Sequence, residues 1–223
     1  MEIKVVQNIL SANEQIAAKN RKLWDGHGVL AVNLMSSPGA GKTSLILQTI
    51  RRLRSIMRVA VIEGDIASTL DADKISKEGV RVVQVNTGGS CHLDANMLSL
   101  AIDSLPLADI DLLIIENVGN LICPAQFDLG EHKRAMIISC PEGDDKPYKY
   151  PLMFTTADVV LVNKIDLLEV LDFNIAALEV AVKGINPQAP IFPLSCKSGE
   201  GIEAWVLWLL AERENCKEFY DSL

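Results

Sequence analysis

The stretch VLAVNLMSSPGAGKTSLIL, residues 29–47, joins an apolar run to a glycine-containing turn and then to a helical pattern. A strand, a glycine-rich turn and a helix in this order form a P-loop, whose backbone N–H groups point at bound phosphate. Lys42 supplies a cation for the β- and γ-phosphates, and Thr43 offers its hydroxyl to Mg²⁺. The sequence therefore predicts a phosphate site made by eight consecutive residues: Ser37, Pro38, Gly39, Ala40, Gly41, Lys42, Thr43 and Ser44.

Six further apolar runs follow the first, and segments with apolar residues at helical spacing separate them. Several runs are nearly continuous in Val, Ile and Leu, which indicates strands buried on both faces of a parallel sheet. We predict a single α/β P-loop NTPase domain with a mostly parallel sheet of about seven strands flanked by helices. The predicted strands cover residues 29–35, 58–64, 80–86, 111–117, 135–141, 158–164 and 189–195.

The predicted domain occupies residues 28–223, and residues 1–27 form an N-terminal helical arm that either packs on the domain or docks a partner protein. The net charge of −8 over 223 residues predicts no general attraction for nucleic acid or an anionic membrane. No apolar run reaches the roughly 18–20 residues of a membrane span, and no secretory signal pattern is present. We expect a cytoplasmic protein whose five cysteines are free or metal-bound rather than paired.

Two short elements at the ends of the sixth and seventh predicted strands indicate the base. In NKID, residues 163–166, Asp166 can accept two hydrogen bonds from guanine, whereas adenine offers no such pair of donors. Asn163 braces the neighbouring loops, and the stem of Lys164 lies along the base. The second element, SCKSGEG, brings a backbone N–H to the guanine carbonyl through Ser195, Cys196 and Lys197. Together they predict GTP or GDP as the ligand.

Carboxylates at two other strand ends are candidates for Mg²⁺ and for catalysis. Asp65 ends the second predicted strand, and Glu116 ends the fourth, where nucleotide hydrolases place a carboxylate that binds Mg²⁺ directly or through water. Asp65 is either a Mg²⁺ ligand beside Thr43 and Glu116 or the residue that orients the attacking water. Gly119 can offer its N–H to the γ-phosphate, so the predicted catalytic residues are Lys42, Asp65 and Gly119.

A thiol and an imidazole lie side by side at Cys91 and His92, after the third predicted strand, and Cys123 follows the fourth at a similar distance. Because the carboxyl ends of parallel strands share one edge, these three side chains can converge. Thiolate and imidazole suit Ni²⁺ or Zn²⁺. Three ligands leave the shell incomplete, so a water, a substrate or a second copy of the chain must complete it. From spacing alone, ordinary loop residues explain the three positions equally well.

The two predicted sites lie close together along the chain, which suggests that binding at one affects the other. Cys123 lies four residues beyond Gly119, the predicted γ-phosphate contact. Order at the γ-phosphate should therefore reposition a metal ligand, so that GTP hydrolysis captures or releases metal.

The sequence resembles the hydrogenase nickel-incorporation GTPases of the HypB type over about residues 30–210. The resemblance implies a GTPase of the same broad class as signal-recognition and MinD-type proteins (the SIMIBI class), and nickel delivery to the large subunit of a nickel–iron hydrogenase. It implies a GTP-dependent homodimer with a Ni/Zn site at its interface, and a small nickel metallochaperone docking at the N-terminal arm. The motifs that carry it are SSPGAGKTSL, EGDIAS, DADKI, NTGGSCHLDA, IIENVGNLICP, FDLGE, EGDDKPYKYP, NKIDLL and GEGIEAW.

Two features depart from the expected patterns. Ser36 replaces the first glycine of G-x-x-x-x-G-K-[ST], which a small residue can do if its φ is negative. The cysteine-rich or histidine-rich N-terminal segments of some family members are not present in this sequence, so nickel storage is not implied. Three alternatives remain: a GTPase maturing another nickel enzyme such as urease, a zinc-stabilised dimerisation module, and a protein-localisation ATPase, which NKID disfavours.

Overall fold

A computed structural model describes residues 4–66 and 68–221, and the side chains of residues 11–66 and 68–217. Seven strands are present in these residues, each at a position that the apolar runs predict. Residues 1–3 of the predicted N-terminal arm lie outside the described part. The strands are β1 Leu30–Ser36, β2 Val59–Asp65, β3 Arg81–Asn86, β4 Leu112–Glu116, β5 Lys133–Ser139, β6 Val159–Asn163 and β7 Ile191–Pro193.

All seven strands pair in parallel in the order β3-β2-β4-β1-β5-β6-β7, which confirms the predicted fold class. The central strand β1 carries the P-loop at its carboxyl end. The chain moves outward from β1 in one direction to β2 and β3, and in the other direction to β5, β6 and β7. Loops therefore diverge beside β1, and such a switch point is where open α/β sheets bind ligands.

Helices cover both faces of the sheet. On one face, α2, α3 and α8 bury Leu45, Ile75 and Trp205 against β1, β2 and β5. On the other face, α1 and α4 form one core cluster around Trp24, and α6 and α7 form a second around Phe154. The helices are α1 Lys4–His27, α2 Lys42–Leu53, α3 Leu70–Ser76, α4 Ala95–Ile102, α5 Lys146–Lys149, α6 Pro151–Thr155, α7 Ile175–Ile185 and α8 Ile202–Asp221.

Short 3-10 segments account for two differences from the sequence pattern. The predicted fifth strand extends to Pro141, but β5 ends at Ser139 because Pro141 has no N–H for the sheet, and Cys140 begins a 3-10 turn. Helical spacing in residues 167–185 predicts a longer helix than α7. Asn174 caps α7 by accepting a hydrogen bond from the Ala177 N–H, so the helix begins at Ile175. The 3-10 segments are Leu107–Asp109, Cys123–Gln126, Cys140–Glu142 and Ile165–Val170.

Helix α1 packs beside α4 and buries one stripe of its surface. Among its described side chains, the buried ones recur at helical spacing, at Asn13, Ala17, Asn20 and Trp24. Two of these four are polar, which is unusual for a stripe that faces a core. None of the helices in the described residues is long and apolar enough to cross a membrane.

Candidate nucleotide and metal sites

The P-loop surrounds the amino end of α2, and its backbone takes conformations that glycine adopts more easily than other residues do. Gly39 and Gly41 have φ values of 74° and 110°, and a Cβ at Gly41 would lie 2.2 Å from Nδ2 of Asn163. Lys42 is buried, and its Nζ donates to the Ser36 hydroxyl at 3.1 Å. Burial lowers the pKa of Lys42, while the neighbouring Glu116 opposes that change. Ser36 thus replaces the usual glycine without a positive φ and holds the lysine in place.

A cavity of about 450 Å³ extends from the P-loop to the ends of β2 and β4. Thr43 Oγ1 donates to Glu116 Oε1 at 2.9 Å at its floor. Glu63 lies directly opposite Glu116 on the adjacent strand, and each carboxylate has one buried oxygen without a hydrogen-bond partner. Burial raises the pKa of Glu63 to about 8 and that of Glu116 to about 7, and each carboxylate also feels the charge of nearby acids. Two orphaned carboxylate oxygens and a hydroxyl form a set of hard ligands that fits Mg²⁺.

Asp65 and Gly119 lie at the rim of the same cavity. Oδ1 of Asp65 accepts a hydrogen bond from the Ser68 N–H at 3.0 Å. Gly119 packs so closely on the P-loop that a Cβ there would lie 2.9 Å from the Pro38 backbone. Glycine at this position therefore lets the loop after β4 touch the phosphate site.

A second cavity, of about 320 Å³, adjoins the first. Its lining includes Gly39, Gly41 and Ser44 of the P-loop and Asn163, Lys164 and Asp166 of NKID. Asn163 donates from Nδ2 to the Ala40 carbonyl at 2.8 Å, so it ties the base loop to the P-loop. Lys164 has φ of 65°, and its ammonium donates to the Gly39 carbonyl at 2.7 Å. This cavity has the position expected for the base next to the phosphate site.

The loop after β7 completes the second cavity. Ser195 is buried and donates from Oγ to Asp166 Oδ1 at 2.6 Å, which fixes the carboxylate. The Cys196 N–H donates to Asn163 Oδ1 at 3.1 Å, and the ammonium of Lys197 lies 3.8 Å from Asp166. Burial raises the pKa of the Cys196 thiol to about 12, so this cysteine is a packing residue and not a nucleophile.

The structure brings Cys91, His92 and Cys123 together. Their ligand atoms all lie within 4.8 Å of one another, and the two sulfurs are 2.9 Å apart. Phe127 stacks on the His92 ring with centroids 3.9 Å apart and fixes its plane. Burial lowers the pKa of His92, which favours the neutral imidazole that binds metal. Two thiols and a neutral imidazole are the ligands that nickel and zinc prefer.

The loops that carry these ligands meet above the end of β2, which lies between β3 and β4 in the sheet. Leu93, next to His92, is buried, and a Cβ at Gly64 would lie 2.7 Å from its Cγ. On the other side, the Leu93 N–H donates to Oδ1 of Asn117 at 3.1 Å. The loop bearing Cys91 and His92 therefore packs between Gly64, near the end of β2, and Asn117, directly after β4.

Cys123 is attached to the P-loop through one residue. The backbone N–H of Asn120 donates to the Ser36 carbonyl at 2.8 Å, and its side-chain oxygen accepts from the N–H groups of Ile122 at 2.8 Å and Cys123 at 3.3 Å. A single asparagine thus joins the start of the phosphate loop to a metal ligand.

Sequence reasoning missed several residues of these sites. Glu63 carried a signal, because it is a charged residue inside the otherwise apolar run RVAVIEG. Glu142 also escaped notice, although it accepts hydrogen bonds from the hydroxyls of Ser37 and Ser139 and so supports the P-loop. The roles of Asn117 and Asn120 had no signal, because asparagine after a strand is also an ordinary loop residue.

The strand order, the P-loop and the adjoining base cavity define a P-loop nucleotide-binding domain. The family model described as "CobW/HypB/UreG, nucleotide-binding domain" matches residues 30–193. Hydrogenase maturation factor HypB of Rhizobium leguminosarum bv. viciae is 46% identical over 207 residues, which cover 93% of this chain and 69% of that protein. The chain belongs to this family, and within it to the HypB hydrogenase maturation factors.

Two further similarities bear on the sites, and a third bears on the fold alone. Hydrogenase/urease maturation factor HypB of Helicobacter pylori strain J99 is 41% identical over 219 residues, 96% of this chain and 90% of that protein. A crystal structure of HypB from Helicobacter pylori in complex with nickel has a TM-score of 0.87 at 38% identity, covering 92% and 96% of the two chains. The signal recognition particle receptor FtsY of Elizabethkingia anophelis, at 17% identity and a TM-score of 0.54 over 86% and 67% of the chains, shares the fold.

Proposed function

We propose that this protein is a GTP-hydrolysing metallochaperone that uses GTP binding and hydrolysis to control nickel delivery to the large subunit of a nickel–iron hydrogenase. The observation that carries the proposal is the pair of contacts between the two sites. Asn117 directly follows Glu116 at the end of β4, and Asn120 lies three residues further on. Their side chains hold the segments that bear His92 and Cys123. A change at the phosphate site therefore moves the metal ligands.

Guanine selection is assigned to the second cavity. Asp166, oriented by the Ser195 hydroxyl, accepts hydrogen bonds from the guanine N1–H and exocyclic amine. ATP presents no such donors, so Asp166 would gain no hydrogen bond from the base, and we expect excess ATP to leave bound GTP in place in a competition assay.

Hydrolysis is assigned to the first cavity. The P-loop N–H groups and the buried Lys42 ammonium hold the β- and γ-phosphates. Thr43, Asp65 and Glu116 would hold Mg²⁺, which neutralises phosphate charge when bound. Asp65 would alternatively orient the attacking water. Gly119 packs closely against Pro38 of the P-loop, and from there its N–H contacts the γ-phosphate.

Cys91, His92 and Cys123 bind the cargo metal, nickel or zinc. Three ligands leave at least one coordination position open, and a second copy of the chain can fill it with the same residues across a two-fold axis. The proposed assembly is therefore a homodimer, and its proposed dependence on GTP rests on the resemblance to the family. Its further proposed partners are a small nickel metallochaperone docking at the N-terminal arm and the hydrogenase large subunit. We propose that it works in the cytoplasm, without nucleic acid or membrane.

The decisive experiment is a nickel and zinc titration of the wild-type protein and Cys91→Ala, each loaded with GDP or with a nonhydrolysable GTP analogue. We expect the nickel Kd of the wild type to differ between the nucleotides by roughly 5- to 150-fold, the usual range of coupling between two sites. Cys91→Ala should lose tight nickel binding and keep its GDP affinity. Cys216→Ala is the matched control, because this partly buried thiol lies in α8.

Equal nickel affinity with both nucleotides would contradict the proposal and favour a zinc-stabilised dimerisation module. A second candidate function is the maturation of another nickel enzyme, and it is favoured by the Helicobacter pylori relative, which is named a hydrogenase/urease maturation factor. Nickel transfer assays with apo-hydrogenase large subunit and with apo-urease would separate the two.

A further inference from the structure

We propose that helix α1 braces the metal site, with Asn13 and Asn20 as positioning residues that hold the two ligand-bearing loops together. The inference rests on the proposed nickel function of Cys91, His92 and Cys123. It begins with the buried stripe of α1, in which two asparagines, 8% and 3% exposed, occupy positions that packing alone would fill with apolar residues.

Asn20 spans the gap between the two loops with one carboxamide. Its Nδ2 donates to the carbonyls of Ala95 at 2.9 Å and Leu129 at 3.0 Å. Ala95 is three residues beyond His92, and Leu129 is six residues beyond Cys123. Each acceptor thus belongs to a segment that continues directly from a metal ligand.

Asn13 makes the same connection two turns earlier in the helix. Its Oδ1 accepts from the Ala95 N–H at 2.9 Å, and its Nδ2 donates to the Asp128 carbonyl at 2.7 Å. The Ala95 N–H opens α4 and has no partner within that helix, so Asn13 satisfies a donor that would otherwise be buried and unpaired.

The rest of α1 keeps this double connection rigid. Arg21 Nε donates to the Gly130 carbonyl at 2.8 Å, and a Cβ at Gly130 would lie 2.3 Å from the Ala17 carbonyl. Asp25 pairs with His132 Nε2 at 2.8 Å. Contacts along the described part of α1 therefore hold residues 128–132 in place. This segment directly follows Phe127, which stacks on His92, and the chain before Phe127 leads to Cys123.

The consequence is that nickel affinity depends on how α1 is seated. With α1 in place, the Cys91–His92 loop and the Cys123 loop are held at ligand distance before metal arrives, so binding costs little reorganisation.

The test compares nickel binding of the GDP-loaded wild type, Asn20→Leu and Asn13→Ala by isothermal titration and by the thiolate-to-nickel charge-transfer absorption. Leucine has the same branched heavy-atom skeleton as asparagine but cannot donate to the two carbonyls. We expect the nickel Kd to rise about tenfold in each variant, as for partners that orient metal ligands, while GDP affinity stays within about twofold. The matched control is Asn186→Leu, because Asn186 also joins two backbone carbonyls, those of Phe154 and Ala157, on the α6–α7 side of the domain.

A folded Asn20→Leu or Asn13→Ala variant with wild-type nickel affinity would overturn the inference, whereas a wild type that binds no nickel would overturn the proposed function instead. A measurement on the wild type covers the case in which the variants do not fold. Coupling is reciprocal, so nickel should slow amide hydrogen exchange in residues 11–27. Unchanged exchange there on nickel binding also overturns the inference.

Discussion

Gly41 is the residue at which backbone conformation and available space both require glycine. Its φ of 110° lies outside the range of ordinary side chains, and a Cβ would lie 2.2 Å from the Asn163 amide that ties the base loop to the P-loop. The position therefore serves the phosphate cavity and the base cavity together.

We expect Gly41→Ala to weaken GDP binding at least about 100-fold, because relief of the clash moves both the phosphate-binding backbone and Asn163. Isothermal titration with GDP measures the change. Gly184→Ala is the control: Gly184 lies inside α7 with nothing within 4 Å of its added Cβ, so this change should raise helix stability by roughly 0.5–1 kcal/mol and leave GDP binding intact. Equal GDP affinity in both variants would show that residues 37–44 are not the phosphate site.

At the scale of elements, the register of β2 and β4 creates the acidic floor of the phosphate cavity. Glu63 and Glu116 are direct neighbours across the two strands, and both point an unpartnered oxygen into a buried space. In the nucleotide-free protein, two buried carboxylates without partners lower the free energy of unfolding unless they are protonated. A bound divalent cation would remove this penalty.

The pH dependence of stability should reveal these carboxyls. Burial raises the folded-state pKa of Glu63 from 4.5 to about 8, so the folded protein holds a proton that the unfolded chain loses. The stability that Glu63 contributes is therefore complete below about pH 4.5 and is lost as the pH rises through about 8. We expect Glu63→Gln to reduce this loss of stability with rising pH. The free energy of unfolding at pH 8, measured by urea denaturation, should rise by about 1–2 kcal/mol.

The matched control is Glu203→Gln, which removes an exposed carboxylate from α8 but leaves Glu63 in place, so the fall caused by Glu63 should persist. A Glu63→Gln protein with the wild-type slope between about pH 5 and 8 would mean that the Glu63 carboxyl is ionised throughout that range.

The sequence predicted the elements well for a physical reason. Strands buried on both faces are mostly apolar, so β1, β2, β4 and β6 appear as nearly continuous apolar runs. The convergence of Cys91 with Cys123 follows because parallel strands end at the same edge of the sheet. The sequence could not predict contacts that depend on strand register or on packing between residues far apart in the chain. The pairing of Glu63 with Glu116 needs the order β2-β4, and the roles of Asn13 and Asn20 need α1 placed against loops that lie 75 to 115 residues away in sequence.

At the scale of the whole molecule, the metal loops are held from two sides. Helix α1 holds them from outside through Asn13 and Asn20, and the loop after β4 holds them from the nucleotide side through Asn117 and Asn120. The first set should fix the affinity for nickel, and the second should make that affinity depend on nucleotide. The two effects can be separated by mutation because the two sets share no side chain.

Asn120→Ala tests the second set. The alanine keeps the backbone hydrogen bond to the Ser36 carbonyl but loses the oxygen that holds the N–H groups of Ile122 and Cys123. We expect the ratio of nickel Kd values with GDP and GTP analogue to approach one, while GTP affinity changes by less than about threefold, since coupling passes through a contact and not through the phosphate ligands. Gln126→Ala, an exposed change on the same segment, should keep the wild-type ratio. If Asn120→Ala also keeps it, nucleotide must reach the metal site by another route, and a structural candidate is the packing of Leu93, next to His92, between Gly64 and Asn117.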